Sequence, residues 1–218
     1  FIGSAAHFIY DFICLRDAIK CKYDIIFEFG YQSVAISYLL LNFKDSIVIT
    51  NMDGMEWKRS KWSPIIQKLT KWFEKLALKH STFIISDNKG IEDYFLQEYQ
   101  QSSYMIPYAA TYVSKPEESI LSLYNLTSNS YFLTIARLEP ENNIEIILNA
   151  YIKSKSDMPY VIIGNHNTSY GKFLKLKYSH NNIVFLGSIY NKKHLDSLRH
   201  NSKCYVHGHS VGGTNPAL

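Results

Sequence analysis

The 218-residue chain is 46% hydrophobic and 15% aromatic with 19% charged residues, a composition that excludes a disordered tail and suffices for two cores of domain size. Its net charge of +4 is too small, and too unevenly placed, to mark a nucleic-acid-binding surface, so no nucleic-acid partner is expected. Cys14, Cys21 and Cys204 are odd in number and lack the spacing of a zinc site, and read as free thiols of a cytoplasmic protein.

Short apolar runs alternate with segments of helical period, the pattern of parallel strands joined by helices, and predict an α/β fold. In chain order the reading is helix 5–20, strand 24–29, helix 32–42, strand 46–51, helix 63–80, strand 82–86, helix 89–99 and strand 103–107. A polar stretch through Ser114, Lys115, Pro116, Glu117 and Glu118 then breaks the pattern. A second series follows, with strand 131–136, helix 142–153, strand 160–164, helix 171–178, strand 183–187, helix 192–200 and strand 203–207. The expected division is a domain 1–112 and a domain 113–218. No apolar run approaches the roughly 20 residues that span a bilayer, and no secretory leader is read at the start. Phe1 is not a start methionine and Asn215–Leu218 reads as the first turn of a further helix, so both ends are expected to be cut.

Asp53 and Glu56 follow strand 46–51 and so fall at the carboxyl edge of the first sheet, where a carboxylate can orient or deprotonate an acceptor hydroxyl. The plainer alternative is a turn at Asp53-Gly54 with Glu56 paired to Lys58 or Arg59. From Lys58 to Lys79 there are seven basic residues against one acid, Glu74. Ile65, Ile66, Leu69, Trp72, Phe73 and Leu76 share one helical face while Lys68, Lys71, Lys75 and Lys79 lie on others. That pattern suits anionic lipid headgroups and makes the four lysines membrane-facing candidates; its plainer reading is a helix packed on the sheet with lysines in water.

Arg137 stands at the carboxyl end of strand 131–136, where open α/β sheets bind ligands and a guanidinium can grip a phosphate and neutralise a leaving diphosphate. The alternative is a surface ion pair with Glu139 or Glu141. The closing stretch Gly208-His209-Ser210-Val211-Gly212-Gly213-Thr214-Asn215-Pro216 follows a strand and opens a helix, a place where backbone N–H groups receive a diphosphate. Gly208, His209, Gly212, Gly213, Thr214 and Asn215 are therefore candidate diphosphate ligands with Arg137. Thr214 and Asn215 stand where a P-loop requires Lys and Ser/Thr, and no G-x-G-x-x-G occurs, which disfavours a P-loop nucleotidase and a dinucleotide oxidoreductase. His207 and His209 alternate on one side of the strand end, but a third metal ligand is lacking, and no metal or other cofactor is expected.

Ala136-Arg137-Leu138 with the closing loop resembles the donor half of family 4 glycosyltransferases. Three blocks, Asn51–Trp62, Ala136–Asn143 and Val206–Pro216, resemble signature segments of the bacterial rhamnosyltransferase branch. The resemblance implies two Rossmann-like domains with parallel sheets, of the GT-B type and both incomplete here, that clasp a sugar nucleotide. It implies transfer of rhamnose from dTDP-rhamnose to a lipid-linked glycan in surface-polysaccharide synthesis, with Arg137 as catalytic residue and the protein peripheral on the inner face of the plasma membrane. Two departures matter. Asn142 stands where the family commonly has a lysine five residues after the arginine, and the family's paired glutamates are not met before Leu218. The amino-terminal glycine-rich loop would precede Phe1, so this chain is expected to be inactive by itself. A non-catalytic nucleotide-sugar or glycan-binding module is the alternative.

Overall fold

The computed structural model describes residues 5–60, 62–109, 116–179 and 182–211. The chain separates into two compact units, Phe1–Tyr108 with Val211–Thr214 and Ala109–Ser210 with Asn215–Leu218, and among the described residues each carries one four-stranded parallel sheet.

In the first unit, α1 (Ala5–Lys20) leads into β1 (Ile25–Glu28), followed by α2 (Ser37–Leu40), β2 (Ile47–Asn51), α3 (Pro64–His80), β3 (Phe83–Ser86), α4 (Lys89–Tyr99) and β4 (Tyr104–Met105). The strands lie in sequence order, with Ile26 beside Val48 and Thr50 beside Ile84. Right-handed crossovers in a sheet of that order bring successive helices to one face. Ile26, Val48 and Ile84 accordingly pack with Tyr38, Phe73, Leu76, Ala77, Ile91 and Phe95 in one core. On the opposite face Ile25, Phe27, Ile47, Phe83 and Tyr104 are exposed. Helix α3 starts at an N-cap, Ser63, with Pro64 in its first turn, and α4 at Asn88, whose Oδ1 accepts from Ile91 N at 3.0 Å.

The second unit runs α5 (Ser119–Ser122), β5 (Phe132–Ile135), α6 (Ile144–Ser154), β6 (Tyr160–Ile163), α7 (Ser169–Lys177), β7 (Ile183–Gly187), α8 (Lys192–His200) and β8 (Cys204–Tyr205). Its strand order is β7-β6-β5-β8, so the chain moves outward from β5 to β7 and then returns to the other side of β5. Both faces are covered. Tyr160 and Ile162 pack with Ile144, Leu148 and Leu174 on one side, and Leu133, Val161 and Ile163 with Leu121 and Leu198 on the other.

Two expectations differ from the structure. The helix read over 32–42 is one turn, 37–40, preceded by turns that mix a bond from Ala35 N to Tyr31 O with one from Ser37 N to Val34 O. Its apolar residues Tyr31, Val34, Ala35 and Tyr38 are buried all the same, which is the signal that imitated a longer helix. Strand 203–207 is shorter than read, ending at Tyr205, so His207 and His209 stand in the loop beyond it. Among the described residues no helix is long and apolar enough to cross a membrane.

Candidate functional site

The reversal of strand order at β5 opens a crevice between the carboxyl ends of β5 and β8, the place where open α/β sheets take ligands. Arg137 leaves the end of β5, and the loop of His207, Gly208 and His209 leaves the end of β8. Thr134 Oγ1 ties the two strands by donating to Val206 O at 2.9 Å. Beyond them the loops are stitched together by Asn143 Nδ2 to Gly208 O at 2.7 Å and by Ser210 N and Oγ to Glu141 O at 3.1 and 2.9 Å.

Leu138, buried, anchors the loop while Arg137 beside it is exposed. Arg137 forms no ion pair among the described residues, so the surface pairing with Glu139 or Glu141 is not made there. Its carbonyl is held by Asn142 Nδ2 at 2.6 Å, and Asn142 is itself buried. Asn142 is thus a structural tie for the arginine loop and presents no charge. Arg137, Glu139 and His209 line a cavity of ≈ 550 Å³ together with Asn165, Ser188 and Tyr190. That volume falls within the range of small-ligand sites.

His207 and His209 stack with ring centroids 4.2 Å apart and Nδ1 atoms 3.1 Å apart, the same-side placement expected of them. Burial lowers the pKa of His207, favouring the neutral ring. Among the described residues no group of three His, Cys, Asp or Glu side chains is placed to hold a metal ion. Gly208 is required by packing, since a Cβ there would lie 2.5 Å from Asn142 O. Gly212, Gly213, Thr214 and Asn215 lie outside the described residues.

At the carboxyl edge of the first sheet, Asp53 adopts a left-handed conformation, φ 50°, with its N–H donating to Asn51 Oδ1 at 3.1 Å. Burial, and then the charge of Asp87, raise its pKa. Glu56 is paired with Arg59 Nε at 2.5 Å and accepts from Trp62 Nε1 at 3.2 Å, so the plainer pairing read for it is formed.

The basic helix divides differently from its sequence pattern. Phe73, Leu76 and Ala77 are buried, whereas Ile65, Leu69 and Trp72 are 78%, 41% and 44% exposed beside the exposed Lys68, Lys75 and Lys79. Lys71 is corrected. It turns inward, its Nζ 3.1 Å from the buried Glu74 Oε1 and 4.3 Å from the centre of the Trp57 ring, because the carboxylate and the aromatic rings offer it more than water does.

A family model described as a domain of unknown function, DUF1972, matches residues 1–111, just over half of the chain. The chain belongs to the DUF1972 family.

The DUF1972 match covers β1 to β4 and the Asp53 block, while Arg137 and the crevice at β5 lie outside it. A comparison with curated proteins finds no match. Among solved structures, this DUF1972 chain is similar to HepE of Anabaena in complex with UDP and glucose, with a TM-score of 0.67 at 14% identity over 88% of this chain and 55% of that one. It is also similar to TarM of S. aureus, TM-score 0.67 at 13% identity over 94% of this chain and 41% of that one. Sucrose-phosphate synthase from Thermosynechococcus elongatus matches with TM-score 0.67 at 14% identity, over 89% of this chain and 53% of that one. The DUF1972 chain therefore shares the GT-B-type fold of these proteins and spans about half their length.

Sequence reasoning missed Asn165, Ser188 and Tyr190, which enter the cavity from the ends of β6 and β7. Their signal was available, since each follows a strand at its carboxyl end. Glu74 was missed although Lys71 stands three residues before it on the same helix, because its other partners Trp57, Tyr94 and Tyr99 lie 17, 20 and 25 residues away.

Proposed function

We propose that this DUF1972 chain is part of a glycosyltransferase that holds a nucleoside-diphosphate sugar in the crevice between β5 and β8. The observation that carries the reading is the exposed Arg137 at the strand-order reversal, without an ion-pair partner among the described residues and on the wall of a ligand-sized cavity. A guanidinium there meets a diphosphate with two parallel hydrogen bonds and stabilises the charge that grows on the leaving group. Arg137 and backbone N–H groups carry that charge in this reading, and no metal is called for. The fold shared with HepE, solved with UDP and glucose, supports a nucleotide-sugar donor.

The donor sugar we assign is rhamnose from a dTDP donor, and the acceptor a lipid-linked glycan in surface-polysaccharide assembly, both on the resemblance of the three signature blocks. Asp53 is the acceptor-side carboxylate of this reading, with Glu56 bracing the loop that carries it. Peripheral attachment to the inner face of the plasma membrane is supported by the exposed Ile65, Leu69 and Trp72 among Lys68, Lys75 and Lys79.

The test is titration calorimetry of the chain with UDP and with dTDP. Saturable binding of one equivalent is expected, with dTDP preferred. Arg137→Ala is expected to weaken it roughly 10- to 100-fold, the scale of hydrogen bonds to a charged group. Absence of binding by either nucleotide, or undiminished affinity in Arg137→Ala, would overturn the proposal.

A further inference from the structure

The first unit encloses a polar cluster that the donor site does not use. Glu74 on α3 is 1% exposed, and four donors converge on its carboxylate. Oε1 accepts from Tyr94 OH at 2.6 Å, Tyr99 OH at 2.5 Å and Lys71 Nζ at 3.1 Å, and Oε2 accepts from Trp57 Nε1 at 3.0 Å. The Lys71 ammonium, also in contact with the Tyr94 hydroxyl, lies over three rings, those of Trp57 at 4.3 Å, Tyr94 at 4.7 Å and Tyr99 at 4.8 Å. Four donors from α3, α4 and the loop after β2 thus crowd one carboxylate, three of them on Oε1 and one on Oε2. A buried ion pair adds little net stability against an apolar filling of the same shape, so its value here is sought in the geometry it holds.

Trp57 is the part of that geometry that reaches the candidate site. It sits in the 3-10 turn Glu56–Lys58, which begins three residues after the left-handed Asp53. A second tier surrounds the turn, in which Glu56 holds Arg59 and Trp62, and Arg59 O accepts from Gln67 Nε2 on α3 at 3.2 Å. The loop's other end is pinned by Met52, wholly buried, whose N–H donates to Ile85 O at 3.0 Å. Between these pins, the backbone around Asp53 and Gly54 has few other places to go.

We infer that Glu74 is the positioning residue of the Asp53 loop. By holding Trp57 it locks the Glu56–Lys58 turn to α3 and α4, and so sets where the Asp53 carboxylate stands at the edge of the first sheet. The functional meaning rests on the acceptor-side reading of Asp53, whereas the positioning itself is open to test without any substrate.

The three tryptophans supply that test through their indole N–H signals in ¹⁵N–¹H spectra of the intact chain. Trp57 is bonded to Glu74, Trp62 to Glu56, and Trp72 is half exposed on the outer side of α3. In Glu74→Gln the signals of Trp57 and Trp62 are both expected to move while Trp72 holds still, because the turn shifts as one body. The carboxyl titration of Asp53 should move with them. Movement of Trp57 alone, with Trp62 and Asp53 as in the wild type, would make Glu74 a local contact and overturn the inference. Should Glu74→Gln not fold, Tyr99→Phe removes a single donor and should move Trp57 and Trp62 together by smaller amounts; a shift confined to Trp57, or none, overturns the inference equally. UDP binding, measured in the same samples, is expected to stay at the wild-type level, so a failure of the donor-site reading would register separately.

Discussion

Adding one methyl group at Gly208 should loosen the whole donor side. A Cβ built there falls 2.5 Å from Asn142 O and 2.8 Å from Ile147 Cδ1, both inside the 3.0 Å below which real Cβ contacts do not occur. The nearer neighbour is backbone and has no room to swing aside, since Asn142 is buried with its amide on Arg137 O. The loop after β8 must retreat instead, stretching the 2.7 Å bond from Asn143 Nδ2 to Gly208 O. Overpacking of this kind costs about 1–3 kcal/mol and the lost hydrogen bond about 1 kcal/mol, so Gly208→Ala should destabilise the second unit by about 2–4 kcal/mol. For a unit of roughly 100 residues that lowers the transition temperature on the order of 10 °C. Scanning calorimetry measures it, with Gly30→Ala as a control in which the Cβ meets only the flexible Gln32 side chain at 3.2 Å. The control should stay within about 0.5 kcal/mol of the wild type. A Gly208→Ala protein as stable as that control, with unaltered affinity for UDP, would refute the claim that close loop packing builds the crevice.

Replacing Lys68, Lys75 and Lys79 together by Gln should release the protein from vesicles of phosphatidylglycerol and phosphatidylcholine while leaving its melting curve in place; unchanged co-sedimentation would count against the membrane face. Lys71→Gln should do the reverse, keeping vesicle binding but lowering stability by roughly 2 kcal/mol or more, because it strips the nearest cation from a buried carboxylate. Burial, with a smaller contribution from Asp11, raises the pKa of Glu28 from 4.5 to about 7. Since the folded state then holds its proton more tightly than the unfolded chain, the Glu28 contribution favours folding below about pH 4.5 and is lost as pH rises toward 7. The stability difference between wild type and Glu28→Gln, from urea unfolding at pH 5 and pH 8, should therefore shift against the wild type at pH 8, and a difference independent of pH would disprove the shift.

How far the chain could be read in advance depended on how local each signal was. Strands such as Tyr160–Ile163 and Ile183–Gly187, and helices such as Lys192–His200, were legible because their apolar period is written in adjacent residues. The position of Arg137 was legible for the same reason, as the residue that follows a strand. The short α2 was not, since Tyr31, Val34, Ala35 and Tyr38 bury the same side chains in successive turns as they would in a helix. The apolar stripe of α3 misled at one end, because its period cannot tell that Phe73 and Leu76 meet the sheet while Ile65 and Leu69 meet water.

By itself, then, the sequence determined the α/β alternation and the carboxyl-end location of Asp53 and Arg137. Only the tertiary structure decided that β8 lies beside β5, which makes the crevice at Arg137, and that Asn142 serves as a tie to the Arg137 carbonyl. It alone drew Lys71 inward under the rings of Tyr94 and Tyr99, more than 20 residues along the chain, against a pattern that had placed it in water. Period and capping act within a turn or two of chain, whereas strand order and the partners of a buried carboxylate are chosen across 20 to 70 residues, where the free energy of shared burial and hydrogen bonding outweighs local preference.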